Sequence, residues 1–387
     1  MQAMKIVCAT NIPFAEQAFG KLGQVTILPP ASINAASLRD ADALVIRSTT
    51  RVHRALLSGS RVRFVGTTTI GFEHLDLAYL QEAGIAWCAA PGCNANSVAE
   101  YLVAALLRLS RRHGLTLAGK KIGVIGVGNV GSLVVRKAEA LGLHPLLNDP
   151  PRQAASGAAL FRPLDEVLAA ADIITLHVPA ISTGPYATCA LANESFFARL
   201  KPGAIFINSA RGAVMESAAL LAALDRGQVA HAILDTWEDE PAFSSAVLAR
   251  VDLGTPHIAG HSLEGKVKGT QMVYQELCRF LGVPAEWSPA DLWPPAAVPE
   301  LSVAQAGSPS ETILDELVGR VYDIETDDKR LRAIAQQSAA ERARAFEHLR
   351  QNYPVRREFS ATQVRLPSSQ TALADKIRGI GFQTSIV

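Results

Sequence analysis

Four segments in the middle of the chain combine side chains able to cradle a phosphate, hold an anion and move a proton. The first, Lys121-Ile-Gly-Val-Ile-Gly-Val-Gly-Asn-Val-Gly131, places glycines at 126, 128 and 131 in the spacing GxGxxG, between an apolar strand-like run and a helical pattern. In such a turn the first glycine makes the bend, the second lets a pyrophosphate approach the backbone, and the third lets the helix pack close. The helix N-terminus, from Asn129 and Val130 onward, then offers free N–H groups to the phosphates. Asp149 ends the next strand-like run, PLLND, where a carboxylate accepts from ribose hydroxyls and repels a 2′-phosphate; Arg152 is the nearby cation that could accept one. A dinucleotide is the expected ligand, with a methyl-donor nucleotide as the rival. Three later segments put polar side chains just past apolar runs: Arg211 in INSARGAVMES, Asp235 and Glu240 in ILDTWEDEP, and His257 in TPHIAGH. An Arg fork can hold a carboxylate bidentately. A His can take a hydroxyl proton as hydride leaves the same carbon, and a neighbouring carboxylate orients the imidazole. Together the three segments have the chemistry that hydride transfer needs.

These side chains need an open α/β sheet to bring strand ends together. The first third supplies the strand-like runs KIVCAT, QVTILP, ADALVIRS, RVRFVGTT and GIAWCAA with helical patterns between them, which implies a parallel sheet. A helix follows, with Ser97 and Glu100 at capping-box spacing and Val98, Leu102, Ala105, Leu106 and Leu109 on one face. From Lys121 a second series begins: KIGVIG, PLLND, DIITLHVP, AIFINSA, HAILDTW and LGTPHIA, fitting a doubly wound sheet. Residues 284–309 hold six of the 21 prolines and read as a linker. Beyond it, helical patterns at Glu311–Tyr322 and Glu341–Arg350, the strand-like FSATQVRL and a terminal βα-like piece suggest a small α+β unit.

With GVGNVG, the segments SARG, DTWEDEP and TPHIAG resemble the D-2-hydroxyacid dehydrogenase family over residues 4–288. The resemblance implies NAD as cofactor, Arg211 as carboxylate binder, His257 as acid/base and Glu240 as its partner, with Val178, Asp235 and Gly260 on the nicotinamide side. RSTTRV, FVGTTTIGFEHLD, APGCNA, HIAGHSLEGK, YDIETDD and NYPVRRE are similar to a branch of that family that acts on a phosphorylated 2-hydroxy acid and carries an extra C-terminal dimerisation domain. That branch implies substrate contacts at Ser48 and Thr69; His261 stands where the branch has a Tyr. Arg47 and Arg51, beside Ser48, Thr49 and Thr50, read equally as a solvated loop or as an anion pocket. The expected fold is a Rossmann-type nucleotide domain at 98–261, a flavodoxin-like split substrate domain at 1–97 and 262–288, and a small α+β dimerisation domain at 289–387 making a homodimer. The other readings are a dehydrogenase for another phosphorylated or sugar-derived acid and an NAD(H)-sensing interaction protein on the same fold.

Composition excludes other classes. With 37 Lys+Arg against 36 Asp+Glu, no general positive field attracts nucleic acid or an anionic membrane. The most apolar helical run, Val98–Leu109, is interrupted by Glu100 and Arg108, and the short apolar start does not suit a signal peptide, so a cytoplasmic location is expected. Five cysteines without a CxxC pair support neither disulfides nor a zinc site, and Glu238-Asp239-Glu240 lacks partners at metal-ligand spacing. His53, His113, His144, His231 and His348 read as surface or structural residues, His177 as packing near the nucleotide, and His74 as open to a substrate role. Residues 329–378 carry eleven Lys+Arg against four Asp+Glu; the plainer reading is a solvated helical face, and the sharper one is that the forks of Arg356 and Arg357 hold a phosphate or a partner's carboxylates.

Overall fold

The structure, a computed structural model, describes residues 4–290, 292–303 and 309–386. Among these, the chain divides into two compact units, one from Met1–Ala95 and His261–Pro295, the other from Asn96–Gly260 and Ala296–Val387. The segment 296–387 thus packs with the nucleotide half.

In the first unit, β1 (Met4–Ala9), β2 (Gly23–Leu28), β3 (Ala43–Ile46), β4 (Phe64–Thr67) and β5 (Ala86–Cys88) form a wholly parallel sheet in the order β2-β1-β3-β4-β5. This is the flavodoxin-like order. β3 and β4 are buried along their whole length, as continuous apolar runs between two covering layers must be. The helix Leu263–Leu281 returns to this sheet through Val267, Val273, Tyr274 and Leu277.

The second unit holds a six-stranded sheet of β6 (Lys121–Ile125), β7 (His144–Asn148), β8 (Ile173–Leu176), β9 (Ala204–Asn208), β10 (Val229–Leu234) and β11 (Leu253–Gly254). Its order is β11-β10-β9-β8-β6-β7, parallel throughout. The order reverses at β6, whose neighbours are β7 and β8, so the crevice of an open sheet opens at the carboxyl end of β6. There the chain runs through the glycine turn into α2 (Asn129–Ala140), after the long α1 (Ala95–His113).

The C-terminal segment contributes β12 (Glu300–Ser302), α3 (Ser310–Val321), α4 (Ile324–Ala333), α5 (Ala339–Gln351), β13 (Gln363–Leu366), α6 (Thr371–Ile380) and β14 (Gln383–Ile386), the three strands being parallel in the order β12-β13-β14. β12 lies inside the proline-rich stretch because an edge strand pairs on one side only.

Two readings of α1 change. It starts at Ala95, so Ser97 is inside it and does not cap it; Ser97 Oγ donates to Glu358 Oε1 at 2.9 Å and Glu100 is buried. Nor does α1 have one apolar face. Tyr101, Val103, Ala104 and Leu107 are buried too, because Leu314, Val318, Phe359, Val364 and Ile377 belong to the same core. α4 has no counterpart among the helical patterns read from sequence; its residues are strongly polar, but Asp323 caps it by accepting from Glu325 N–H at 3.1 Å. No described helix is long and apolar enough to cross a membrane, and the five cysteines are free thiols.

Candidate active site

The three glycines of the turn after β6 do different things. Gly126 has φ +86°, and a Cβ there would stand 2.7 Å from the His177 carbonyl oxygen and 2.8 Å from Val178 Cγ1. A Cβ on Gly131 would lie 2.0 Å from the Gly126 carbonyl oxygen, so only glycine lets α2 seat on the turn. Gly128 is the opposite case: nothing lies within 4 Å of where its Cβ would be. That open cradle, above the first turn of α2, fits a pyrophosphate. No side chain caps α2, so the first-turn N–H groups of Asn129 and Val130 are suited to an anion.

Asp149 latches this turn. Its Oδ2 accepts from Val127 N–H at 2.8 Å and its Oδ1 from Arg152 N–H at 3.0 Å, capping the helix Pro150–Ser156. Each oxygen keeps a second lone pair for a ribose hydroxyl. The Arg152 guanidinium donates to the Val127 carbonyl. His177, after β8, has its Nε2 3.0 Å from Thr175 Oγ1, and burial pushes the imidazole down to about 3, so it is neutral.

Arg211, Glu240 and His257 follow β9, β10 and β11 in turn. At the end of β9, Asn208 Oδ1 accepts from Ala210 N–H at 3.1 Å while its Nδ2 donates to the Arg211 carbonyl at 3.0 Å, shaping the turn that carries half-buried Arg211. A Cβ on Gly212 would stand 1.7 Å from the Trp237 carbonyl oxygen. The Arg211 turn therefore lies directly against the loop that leads to Glu240.

His257 itself has φ +55°, a left-handed conformation that histidine enters more readily than most side chains. Its N–H donates to the Asp235 carbonyl at 2.8 Å. Its Nδ1 lies 2.7 Å from Glu240 Oε2, and Glu240 Oε1 accepts from Trp237 N–H at 2.7 Å. Burial pushes the Glu240 carboxyl up, but the neighbouring His257, the hydrogen bond to it and the Trp237 N–H outweigh burial and hold it below the usual range. A carboxylate on Nδ1 fixes the tautomer with the proton there and leaves the Nε2 lone pair open to a proton. The His257 side chain is 29% exposed, so substrate can reach it.

Asp235 supports the same loop from below. It is 1% exposed, its Oδ1 accepts from Thr255 Oγ1 at 2.6 Å and Ile258 N–H at 2.8 Å, and its Oδ2 from Ala259 N–H at 2.9 Å. Burial raises its pKa despite His257 and these donors. Its visible work is to hold the stretch from Thr255 to Ala259, which leads into Gly260.

Two further supports had no local signal in the sequence. Tyr101 Oη of α1 lies 2.8 Å from Thr255 Oγ1. Arg356 is buried, donates from Nη2 to the Ala259 carbonyl at 2.5 Å, and sits 4.4 Å from the Tyr322 ring centroid. The expectation that the Arg356 fork faces a phosphate or a partner's carboxylates is thus overturned: its polar contacts are internal. Arg357 beside it is half-buried.

The remaining expected residues belong to the first unit. Arg47 and exposed Ser48 follow β3; Arg47 Nη1 is 3.4 Å from Thr68 Oγ1. Thr69 follows β4, its Oγ1 2.7 Å from Thr67 Oγ1 and donating to the Gly71 carbonyl at 2.8 Å. His74 Nε2 is 3.0 Å from Thr67 Oγ1, and burial lowers its pKa, which makes it a neutral buttress of this loop. A Cβ on Gly269 would meet the Thr68 carbonyl at 2.6 Å, so the helix Leu263–Leu281 rests on the same loop. Half-buried His261 precedes that helix, which Ser262 caps by accepting from Gly265 N–H at 2.9 Å. Arg51 is exposed.

Residues 96–259 match the family described as D-isomer specific 2-hydroxyacid dehydrogenase, NAD binding domain, and residues 292–381 match a domain of unknown function (DUF3410). Solved structures similar to the chain include a D-lactate dehydrogenase from Aquifex aeolicus complexed with NAD and lactic acid, at 25% identity and TM-score 0.56, covering 72% of this chain and 95% of that one. The TT0316 protein of Thermus thermophilus is 25% identical with TM-score 0.62, covering 73% and 98%. Fold and strand-end residues thus define an NAD-dependent oxidoreductase of the D-2-hydroxyacid dehydrogenase class. The resemblance extends through the C-terminal segment: the erythronate-4-phosphate dehydrogenase of Cronobacter sakazakii is 46% identical over 383 residues, 99% of both chains, and that of Escherichia coli strain HS is 44% identical over 362 residues, 93% of this chain and 94% of its own. The chain belongs to the erythronate-4-phosphate dehydrogenase family.

Proposed function

We propose that the chain oxidises 4-phospho-D-erythronate to 2-oxo-3-hydroxy-4-phosphobutanoate with NAD, a step of pyridoxal phosphate biosynthesis. The observation that carries this reading is the His257–Glu240 pair at 2.7 Å, in a chain similar to erythronate-4-phosphate dehydrogenases over nearly its whole length. The turn from Gly126 to Gly131, with Asn129 and Val130, would hold the pyrophosphate of NAD and Asp149 the ribose, while Val178, Asp235 and Gly260 border the nicotinamide. When bound, NAD supplies the hydride acceptor. The Arg211 fork holds the substrate carboxylate and polarises the carbon beside it. Nε2 of His257 takes the C2 hydroxyl proton as the C–H pair leaves that carbon, and Glu240 stabilises the imidazolium that forms. Arg47, Ser48, Thr69 and His261 are assigned to the rest of the substrate, Arg47 to its phosphate.

Residues 1–97 with 262–288 are assigned to substrate, 98–261 to nucleotide, and 289–387 to a homodimer contact; a cytoplasmic location completes the reading. The test is turnover by the purified protein of phosphorylated and unphosphorylated 2-hydroxy acids with NAD, using a 2-oxo acid to reoxidise the cofactor. A preference for 4-phospho-D-erythronate in kcat/KM is expected. Preference for an unphosphorylated acid overturns the substrate assignment, and absence of turnover with every acid overturns the reaction.

A further inference from the structure

At the amino end of the strands that lead to the catalytic loops, three side chains distant in sequence converge. His113 is the last residue of α1, with Gly114 at φ +63° directly after it. His231 lies in β10 and Asp252 immediately before β11. His113 Nε2 is 2.7 Å and His231 Nδ1 is 3.2 Å from the same oxygen, Asp252 Oδ1, and the two imidazole centroids are 4.1 Å apart. The ligand atoms of the three residues all lie within 4.8 Å of one another. We propose that His113, His231 and Asp252 form a binding site for a divalent transition-metal ion, zinc being the ion that fits best.

Two imidazoles and one carboxylate make a borderline donor set, better matched to zinc than to calcium or magnesium, which favour oxygen ligands. Three protein ligands leave a fourth tetrahedral position for water. The donors are also held in place. Asp252 Oδ2 accepts from Ala232 N–H at 3.0 Å, and the Asp252 N–H donates to the Ala232 carbonyl at 2.9 Å. The pairing of β10 with β9 shifts register between Val229 and His231, an irregularity of the kind that re-aims a side chain.

Charge favours a cation here. The ligands sit at the carboxyl end of α1, the negative end of its dipole. Arg112, the adjacent cation, donates from Nη1 to the Asp252 carbonyl at 2.7 Å and from Nη2 to Glu325 Oε1 at 2.9 Å, so its charge is paired. Access is open: the side chains of His113, His231 and Asp252 are 32%, 19% and 14% exposed. Without an ion, both rings point N–H groups at one carboxylate oxygen. With one, each presents a nitrogen lone pair, and any proton on a charged imidazole is released to solvent. The ion would tie the end of α1 to β10 and β11.

The experiment uses the untagged, full-length chain stripped by a chelator and titrated with zinc against a fluorescent chelator. One zinc per chain is expected, with affinity lowered at least about tenfold in His113→Gln and in His231→Gln and further in the double variant. Cobalt should give tetrahedral d–d absorption in the parent that the double variant lacks, while dehydrogenase turnover of that variant stays unchanged and shows that it folds. Two results overturn the proposal: zinc binding by the parent no tighter than by the double variant, or a bound zinc that survives in the double variant and is lost in His257→Ala, which would assign it to the catalytic pair.

Discussion

Two acid–base pairs in the second unit balance burial against a partner with opposite results. Glu240 and His257 are 2.7 Å apart with side chains 19% and 29% exposed, and Glu240 is held below the usual carboxylate range. Glu100 and Lys137 are 3.8 Å apart and only 5% and 6% exposed; burial pushes Glu100 up to about 8 against the pull of Lys137, and burial lowers Lys137. Glu358 adds a second carboxylate that further raises Glu100. A short hydrogen bond with partial solvation favours charge separation, whereas a longer contact in a dry interior does not offset desolvation. The first arrangement suits a proton that must come and go, and the second suits a fixed interior.

The largest expected effect falls on the His257–Glu240 pair. His257→Ala should lower kcat by roughly 10² to 10⁴, measured at saturating substrate and NAD; near-normal turnover would refute the assignment. Next, Arg356→Met tests the buried side of the contrast. It leaves the Ala259 carbonyl without its buried donor and removes one of the two cations that lower the Asp327 carboxyl, Arg330 being the other, and should cost about 3 kcal/mol in denaturant unfolding. A fall in kcat beyond the loss of folded protein would show that Arg356 also positions the His257 loop.

Smaller is Glu240→Gln, which removes a charge-assisted hydrogen bond worth about 1.5–3 kcal/mol, or roughly ten- to a hundredfold in kcat/KM. A kcat/KM within twofold of the parent would show that the Glu240 carboxylate does not support His257. The last effect is read along pH and belongs to Glu100. With its pKa raised from 4.5 to about 8, the folded chain keeps a proton that the unfolded chain releases across that window. The contribution to stability is present in full below about 4.5 and declines as pH rises toward 8. Glu100→Gln should flatten this decline in thermal melts between pH 5 and 8; an unchanged slope would assign it elsewhere.

The same contrast explains what could be read from sequence. The glycines at 126, 128 and 131, the five strand-like runs of the first third, the six from Lys121 onward, and Arg211, Glu240 and His257 were legible because each depends on local geometry: a positive φ, a close backbone approach, a side chain just past a strand. Glu240 and His257 are only 17 residues apart. The interior network was not legible. Ser97 meets Glu358 across 261 residues and Arg356 meets Ala259 across 97, and nothing local distinguishes an arginine that turns inward from one that faces solvent. The two-sided burial of α1 was hidden for the same reason, since its second covering layer is supplied by residues near the other end of the chain.

That covering layer has a consequence for synthesis. α1 and α2 leave the ribosome long before Phe359, Val364, Ile377 and Phe382, which share their core, and before Ile380, whose carbonyl accepts from Lys137 Nζ at 2.7 Å. The N-terminal unit needs no residue beyond 295 and can close earlier. Translation therefore releases one finished unit and one with an exposed apolar flank, an interval in which chaperones are needed most. Ribosome-arrested chains halted before residue 356 should be cleaved by protease within α1 and α2, and chains extended past residue 386 should resist.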